Sequence, residues 1–161
     1  MEVFTVAALS YLIGSFSSAF VVGKIFMKID IRNHGSGNAG ATNAIRIMGK
    51  KLGILTFFLD FTKGLATVLL GRFILGEMGG YLASIFAVIG HNWPIFFRFK
   101  GGKGIATTIA SMAIVNFPIT LISVVVGVLT AYFSKFVSLG SLVYFRPCST
   151  CCSNGYPSLR L

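Results

Sequence analysis

Residues 3–23 read VFTVAALSYLIGSFSSAFVVG, 21 positions without a charged side chain. A helix rises about 1.5 Å per residue, so this run covers roughly 30 Å, the hydrocarbon thickness of a bilayer. No basic segment precedes it, and the apolar part of a secretory signal is shorter, so the run reads as a retained first span. Gly14, Ser15, Ser17 and Ser18 make one part of it small and polar, which suits close helix contacts.

Working outward, the pattern repeats. Residues 52–70 form a second apolar run, interrupted by Asp60 and Lys63, and residues 72–80 form a short connection. Residues 81–97 form a third run that carries His91, Asn92 and Pro94 near its end. Residues 105–134 are uncharged for 30 positions, too long for one span. Asn116-Phe117-Pro118 should divide them into a short helix and a longer one, because proline disfavours helix in the residue before it. Residues 136–145 look like the start of a further span. The expectation is an all-α, polytopic transmembrane helix bundle with about five spans or part-spans. Residues 1–145 form its membrane domain. Residues 146–161, RPCSTCCSNGYPSLRL, form an atypical polar, cysteine-containing tail that reads as a truncated or frame-shifted end.

Composition agrees with a membrane protein. Mean hydropathy is +0.83, and charged residues make up 11% of the chain, where soluble domains carry about 25%. The net charge is +10. In a soluble chain that would suggest nucleic acid; here the tendency of Lys and Arg to collect in cytoplasmic loops explains it, and no nucleic-acid partner is expected. Lys24, Lys28, Arg32, Arg46, Lys50, Lys51, Arg98, Lys100 and Lys103 all fall in the loops after the first and third runs. Both loops are therefore expected at the cytoplasmic face, with the N-terminus outside. The four acidic residues, Glu2, Asp30, Asp60 and Glu77, are scattered, which argues against a carboxylate cage for Mg²⁺ or Ca²⁺ and against a paired-carboxylate hydrolase. Cys148, Cys151 and Cys152 lack a second pair or nearby histidines, so no metal and no cofactor is expected.

The first basic loop, residues 30–51, reads DIRNHGSGNAGATNAIRIMGKK. Ser36, Asn38, Thr42 and Asn43 offer hydroxyl and amide donors. Gly35, Gly37 and Gly40 let the backbone turn tightly and expose N–H groups. The stretch matches G-x-G-x-x-G, but no βαβ unit surrounds it, so a dinucleotide site is rejected. It is not a P-loop either, because Ala41-Thr42 replaces Gly-Lys. What remains is a general anion nest, or an ordinary loop at a membrane surface. If a helix starts near Ala41, Thr42 and Arg46 project on one face, and arginine offers a planar fork to phosphate oxygens. Ser36 reads as a donor rather than a nucleophile, because no Ser-His-Asp arrangement is evident.

The second loop, Lys100-Gly101-Gly102-Lys103-Gly104, sets three glycines and two lysines before a span. That suits close approach of a phosphate; the plain alternative is a basic turn. A weak echo of Gly40-Ala41-Thr42 recurs as Gly104-Ile105-Ala106-Thr107, each placed to open a helix whose dipole favours anions. Asp60 and Lys63 read as an ion pair within a span, with Lys63 still able to reach an anionic substrate. His34 and His91 are each a candidate base or a structural hydrogen-bonding residue. An H-x-x-x-x-D acyltransferase dyad would need aspartate at position 96, where this chain has Phe96.

Three separated blocks, DIRNHGSGNAGATNAIRIMG, Asp60-x-x-Lys63-Gly64 and GHNWPIFFRFKGGKGIAT, resemble the bacterial acyl-phosphate–glycerol-3-phosphate acyltransferases of the PlsY type. The resemblance covers residues 1–141. It implies a polytopic inner-membrane enzyme of phospholipid biosynthesis that moves an acyl group from acyl phosphate to the sn-1 hydroxyl of glycerol 3-phosphate. The products would be lysophosphatidic acid and phosphate, and an enzyme that makes acyl phosphate is an expected partner. It also implies catalytic roles for Ser36 and Arg46 in a first motif, and a glycerol-phosphate motif at residues 101–104. Lys103 joins Ser36 and Arg46 as a catalytic candidate. Gly35, Gly37, Asn38, Thr42, Asn43, Lys63, His91, Lys100, Gly101, Gly102 and Gly104 are the candidates for substrate binding. The family continues past residue 141 with further spans and a third motif that this chain lacks. A transporter or channel for a phosphorylated solute is the alternative reading of the same basic loops and intramembrane charges.

Overall fold

The structure is a computed structural model and describes residues 1–135. All regular structure among these residues is helical. The expected start of a span at 136–145 and the cysteine-containing tail lie outside them. The chain divides into two units, Met1–Val115 and Asn116–Leu161.

The first unit opens with α1 (Glu2–Gly14) and α2 (Ser18–Val22), followed by a π-helical turn at Gly23–Met27 and a 3-10 turn at Ile31–Asn33. The sequence predicts one continuous helix over residues 3–23. The structure instead breaks it at Ser15–Ser17, where Ser17 is extended at φ −92°, ψ 96°. Before the break, the Ser15 N–H closes the last helical bond to the Tyr11 carbonyl and the Ser15 hydroxyl donates to the same oxygen, at 2.8 Å each. A serine hydroxyl bonded back to the carbonyl four residues earlier favours a bend in the helix.

Next comes α3 (Ala41–Asn92), which is three helical segments, 41–48, 50–74 and 77–92, joined by sharp corners. Gly49 takes φ 83°, ψ 171° and Gly76 takes φ 60°, ψ −149°, a region of backbone space open essentially to glycine. The expected connection over residues 72–80 is therefore much shorter: helix runs to 74 and resumes at 77. Gly71 and Gly79 face each other across this corner so closely that a β-carbon on either would overlap the other's carbonyl. α4 (Ile105–Val115) completes the unit.

Small residues set the packing. Gly14 of α1 lies against the Ala87 backbone, and Gly90 lies against the Tyr11 carbonyl, so α1 packs on segment 77–92. Gly64 lies against Thr107 and Ala110, so α4 packs on segment 50–74. The interior is mostly Ala, Gly, Ser and Thr, while Phe57, Phe58, Leu69, Phe73 and Ile85 point outward. This arrangement suits a bilayer. Lipid is as apolar as leucine, so helices gain from close backbone approach rather than from hiding large side chains. The 57 residues of Ala41–Phe97, folded back at residues 75–76, are long and apolar enough to cross a membrane, as is Glu2–Met27.

In the second unit, α5 (Phe117–Ser134) is also long and apolar enough to cross. Asn116 caps it by accepting the Ile119 N–H at 3.2 Å, and Pro118 sits in its first turn. The division of residues 105–134 at Asn116–Pro118 is as the sequence predicts.

Candidate functional site

The first loop is built around Asn43. Its buried side-chain amide donates to the carbonyls of His34 (3.0 Å) and Ile31 (3.4 Å), while its oxygen accepts the Ser36 N–H at 3.1 Å. One side chain thus serves the Ser36 N–H, which has no other partner among the described residues, and adds a second hydrogen bond to two carbonyls that also accept turn N–H groups. Gly35 passes directly over the Asn43 oxygen at φ +64°, where a β-carbon would collide with it. Beneath the loop lies an apolar cluster of Ala19, Val22, Ile31, Ala39, Ala44 and Met48. Gly40 then opens α3 in extended conformation, as the sequence predicts.

Arg32 ties this loop to the next. Its guanidinium forms a two-pronged pair with Asp30, at 2.9 Å and 2.7 Å, and donates to the Phe97 carbonyl at 2.8 Å. It also lies 4.7 Å from the centre of the Phe20 ring, which itself packs against Phe97 at 4.8 Å. The hydrogen bond from Arg32 holds the Asp30 carboxyl below the usual carboxylate range, against the partial burial that would raise it. The same pairing raises the Arg32 guanidinium.

The second loop leaves segment 77–92 through Pro94 and a 3-10 turn at Ile95–Phe97. Arg98 and Phe99 both take left-handed backbone, at φ 57° and 58°. The chain then folds back over His91. Gly102 donates its N–H to the His91 carbonyl at 3.1 Å, and a β-carbon on Gly101 would overlap that same carbonyl. The two glycine-rich loops meet directly, because Ala39 donates its N–H to the Gly101 carbonyl at 3.2 Å. Gly104, at φ +71°, precedes α4.

Behind the loops lies a buried charged cluster. Asp60 Oδ1 accepts from the Ser18 hydroxyl at 2.8 Å and sits 2.9 Å from Lys63 Nζ. Lys63 Nζ also donates to the Phe16 carbonyl and lies 2.9 Å from His91 Nδ1, which is 3.5 Å from Asp60 Oδ1. The helix break at residues 15–17 frees the Phe16 carbonyl for this contact. Asp60 and Lys63 therefore form the ion pair expected from their spacing, and the pairing offsets the cost of charge within a span.

The predicted site residues fall into two layers. Ser36, Gly37, Thr42, Arg46, Lys100 and Lys103 are exposed, with Asn38 half-buried. Asn43, Lys63 and His91 are buried behind them, engaged with other protein groups. The sequence did not mark Phe16, Ala39 or Phe97, which contribute backbone groups, and such contacts leave no trace in residue type. Ser18 was visible as a small polar residue in a span, but its partner Asp60 is 42 residues away.

The chain matches the glycerol-3-phosphate acyltransferase family model over residues 4–153. It is 46% identical over 136 residues to a glycerol-3-phosphate acyltransferase of Thermoanaerobacter pseudethanolicus, covering 84% of this chain and 69% of that one. It is 49% identical over 134 residues to one from Alkaliphilus metalliredigens, covering 83% and 68%. Its fold is similar to the crystal structure of PlsY (YgiH), an integral membrane glycerol 3-phosphate acyltransferase, in the glycerol 3-phosphate form. The TM-score is 0.87 at 36% identity, over 98% of this chain and 80% of that chain. The lysophosphatidic acid form of PlsY gives a TM-score of 0.84 at 35% identity, over 98% and 79%. With matched sequence over nearly its whole length and the same helical architecture, this chain belongs to the glycerol-3-phosphate acyltransferase family.

Proposed function

We propose that this protein transfers an acyl group from acyl phosphate to the sn-1 hydroxyl of glycerol 3-phosphate, giving lysophosphatidic acid and inorganic phosphate. The observation that carries this reading is the hydrogen bond between Ala39 and Gly101, which joins two glycine-rich loops with exposed cations into one surface. Both substrates are phosphorylated, and such a surface is suited to two anions.

The hydroxyl oxygen forms a bond to the acyl carbon, and the bond from that carbon to the phosphate oxygen breaks. Phosphate is a good leaving group, so the protein's work is orientation and stabilisation of developing negative charge. Arg46 and Lys103 neutralise phosphate oxygens. Ser36, Asn38 and Thr42 donate hydrogen bonds, the bare backbone at Gly35, Gly37, Gly101, Gly102 and Gly104 lets the phosphates come close, and Lys100 adds local positive charge. Asn43, Lys63 and His91 hold this surface from behind. His91 is poorly placed to act as a base: its Nδ1 faces Lys63 and its other edge is packed against Gly102. A substrate phosphate takes the hydroxyl proton instead. The acyl chain lies among the spans. The enzyme sits in the bacterial inner membrane with both loops cytoplasmic and the N-terminus outside, and an enzyme that makes acyl phosphate supplies the donor.

The test is acyl transfer by the purified chain in nanodiscs, with labelled glycerol 3-phosphate and either palmitoyl phosphate or palmitoyl-CoA. Labelled lysophosphatidic acid should form with the acyl phosphate and be lost in Arg46→Ala. Product from the thioester alone would overturn the donor assignment. Flux of label into sealed vesicles without covalent change would replace the enzyme by a transporter.

A further inference from the structure

We propose that Asp60 and Lys63 are positioning residues for both glycine-rich loops, acting through the His91 imidazole, against whose far edge Gly102 is folded. Neither charge is open to substrate: their side chains are 2% and 7% exposed. A well-packed apolar pair could join the helices equally well. What an apolar pair cannot do is grip one edge of an imidazole. Lys63 Nζ lies 2.9 Å from His91 Nδ1, and Asp60 Oδ1, itself fixed by the Ser18 hydroxyl, lies 3.5 Å from the same nitrogen.

The opposite edge of the ring is the seat of the second loop. A β-carbon on Gly102 would overlap His91 Nε2 and would lie 2.9 Å from Cε1 and 3.0 Å from Cδ2. Those near-equal distances put it straight off the nitrogen apex of the ring. Only a glycine fits there while the ring holds that orientation. The Gly102 N–H is bonded to the His91 carbonyl, so this residue supports the loop at both its backbone and its ring. One residue earlier, the Gly101 carbonyl takes the Ala39 N–H, which hangs the first loop on the second. The buried ion pair thus fixes the ring, the ring fixes Gly102, and the adjoining Gly101, seated on the His91 carbonyl, fixes Ala39 beside Asn38.

The kinetic consequence rests on the acyl-transfer reading, but the structural one does not. The experiment is hydrogen exchange by mass spectrometry on the full chain in nanodiscs, with kinetics in parallel. The variant Asp60→Asn/Lys63→Met removes both charges and leaves no lone buried ion. Amides of Ala39 and Gly102 should then exchange faster by at least about tenfold, while 50–74 and 105–115 keep their protection. With glycerol 3-phosphate varied, kcat/KM should fall about 100-fold, the size expected for a misplacement of about 1 Å, with the KM for the acyl donor unchanged. From the loop side, Gly102→Ala should loosen the same amides, and His91→Gly, which removes the ring, should loosen them as well. Unchanged loop protection in the charge-free variant, or loss spread evenly through the helices, would overturn the proposal. So would unchanged loop protection in His91→Gly, and that variant decides alone if the charge-free variant does not fold. A chain with no acyl transfer at all would overturn the proposed function and leave the exchange result to judge this inference.

Discussion

The Asn43 side chain accepts the backbone N–H of Ser36 at 3.1 Å across seven residues of sequence. That single bond places a helix side chain beneath the loop that carries the leading catalytic candidate. With the two bonds from its amide nitrogen to Ile31 and His34, Asn43 holds the loop's shape from inside.

Replacing Asn43 by alanine would strand the Ser36 N–H and take one of two hydrogen bonds from each of the Ile31 and His34 carbonyls, which also accept the His34 and Gly37 N–H groups. Each unsatisfied buried group costs about 1–3 kcal/mol, so Asn43→Ala should lower thermal stability by at least that much and weaken turnover. Asn43→Asp keeps the acceptor for Ser36 but turns a carboxylate oxygen toward two carbonyls, and should rescue little. A melting temperature equal to wild type in either variant would show that the loop does not depend on this residue.

Gly49 makes a different prediction. A β-carbon there would meet nothing within 4 Å, so there is no steric objection to alanine from neighbouring atoms. The backbone at φ 83°, ψ 171° nevertheless excludes it. Gly49→Ala should destabilise by about 1–3 kcal/mol through backbone strain alone. Equal denaturation midpoints for Gly49→Ala and wild type would argue that the corner is not formed as described.

Gly64 tests packing rather than backbone freedom. A β-carbon there would lie 2.7 Å from the Thr107 carbonyl, inside any normal contact. Gly64→Val should push α4 away and cost about 1–3 kcal/mol or more, as overpacking does. Phe58→Ala, on the outward face, should stay within about 0.5 kcal/mol. Comparable losses at both positions would contradict the small-residue interior.

Asp30 predicts an acid dependence with a definite sign. Its folded-state carboxyl is held below the ordinary value by Arg32, so the pair stabilises the fold when Asp30 is ionised. That contribution is present above the unfolded-chain value of about 3.9 and is lost as pH falls through the lower folded value. Melting curves from pH 6 down to pH 2 should therefore show wild type above Asp30→Asn at pH 6, with the gap closing in acid. A gap that stays constant across the range would mean that the pairing does not contribute.

Arg46 is exposed at the start of α3, so its removal should leave the fold intact. Arg46→Ala is expected to retain the wild-type melting temperature and lose about 100- to 1,000-fold in kcat, as does loss of one donor to a developing charge. Arg46→Lys should recover part of this, because it restores charge without the planar fork. A folded, fully active Arg46→Ala would remove Arg46 from the catalytic set.

The membrane character, the division at Asn116–Pro118, the helix start at Ala41 and the Asp60–Lys63 pair were all determined by the sequence itself, because each depends on residues close in the chain. Hydropathy over about 20 residues, a proline's effect on its neighbour and an i, i+3 spacing are local properties. Only the tertiary structure decided which candidate residues face outward and which support them. Lys63 and His91 are 28 residues apart, Ala39 and Gly101 are 62 apart, and Ser18 and Asp60 are 42 apart. No propensity links such positions. They come together because bare glycines at 14, 64 and 90 let the helices approach to backbone contact, and that approach leaves an ion pair, a histidine and two loops a single place to meet.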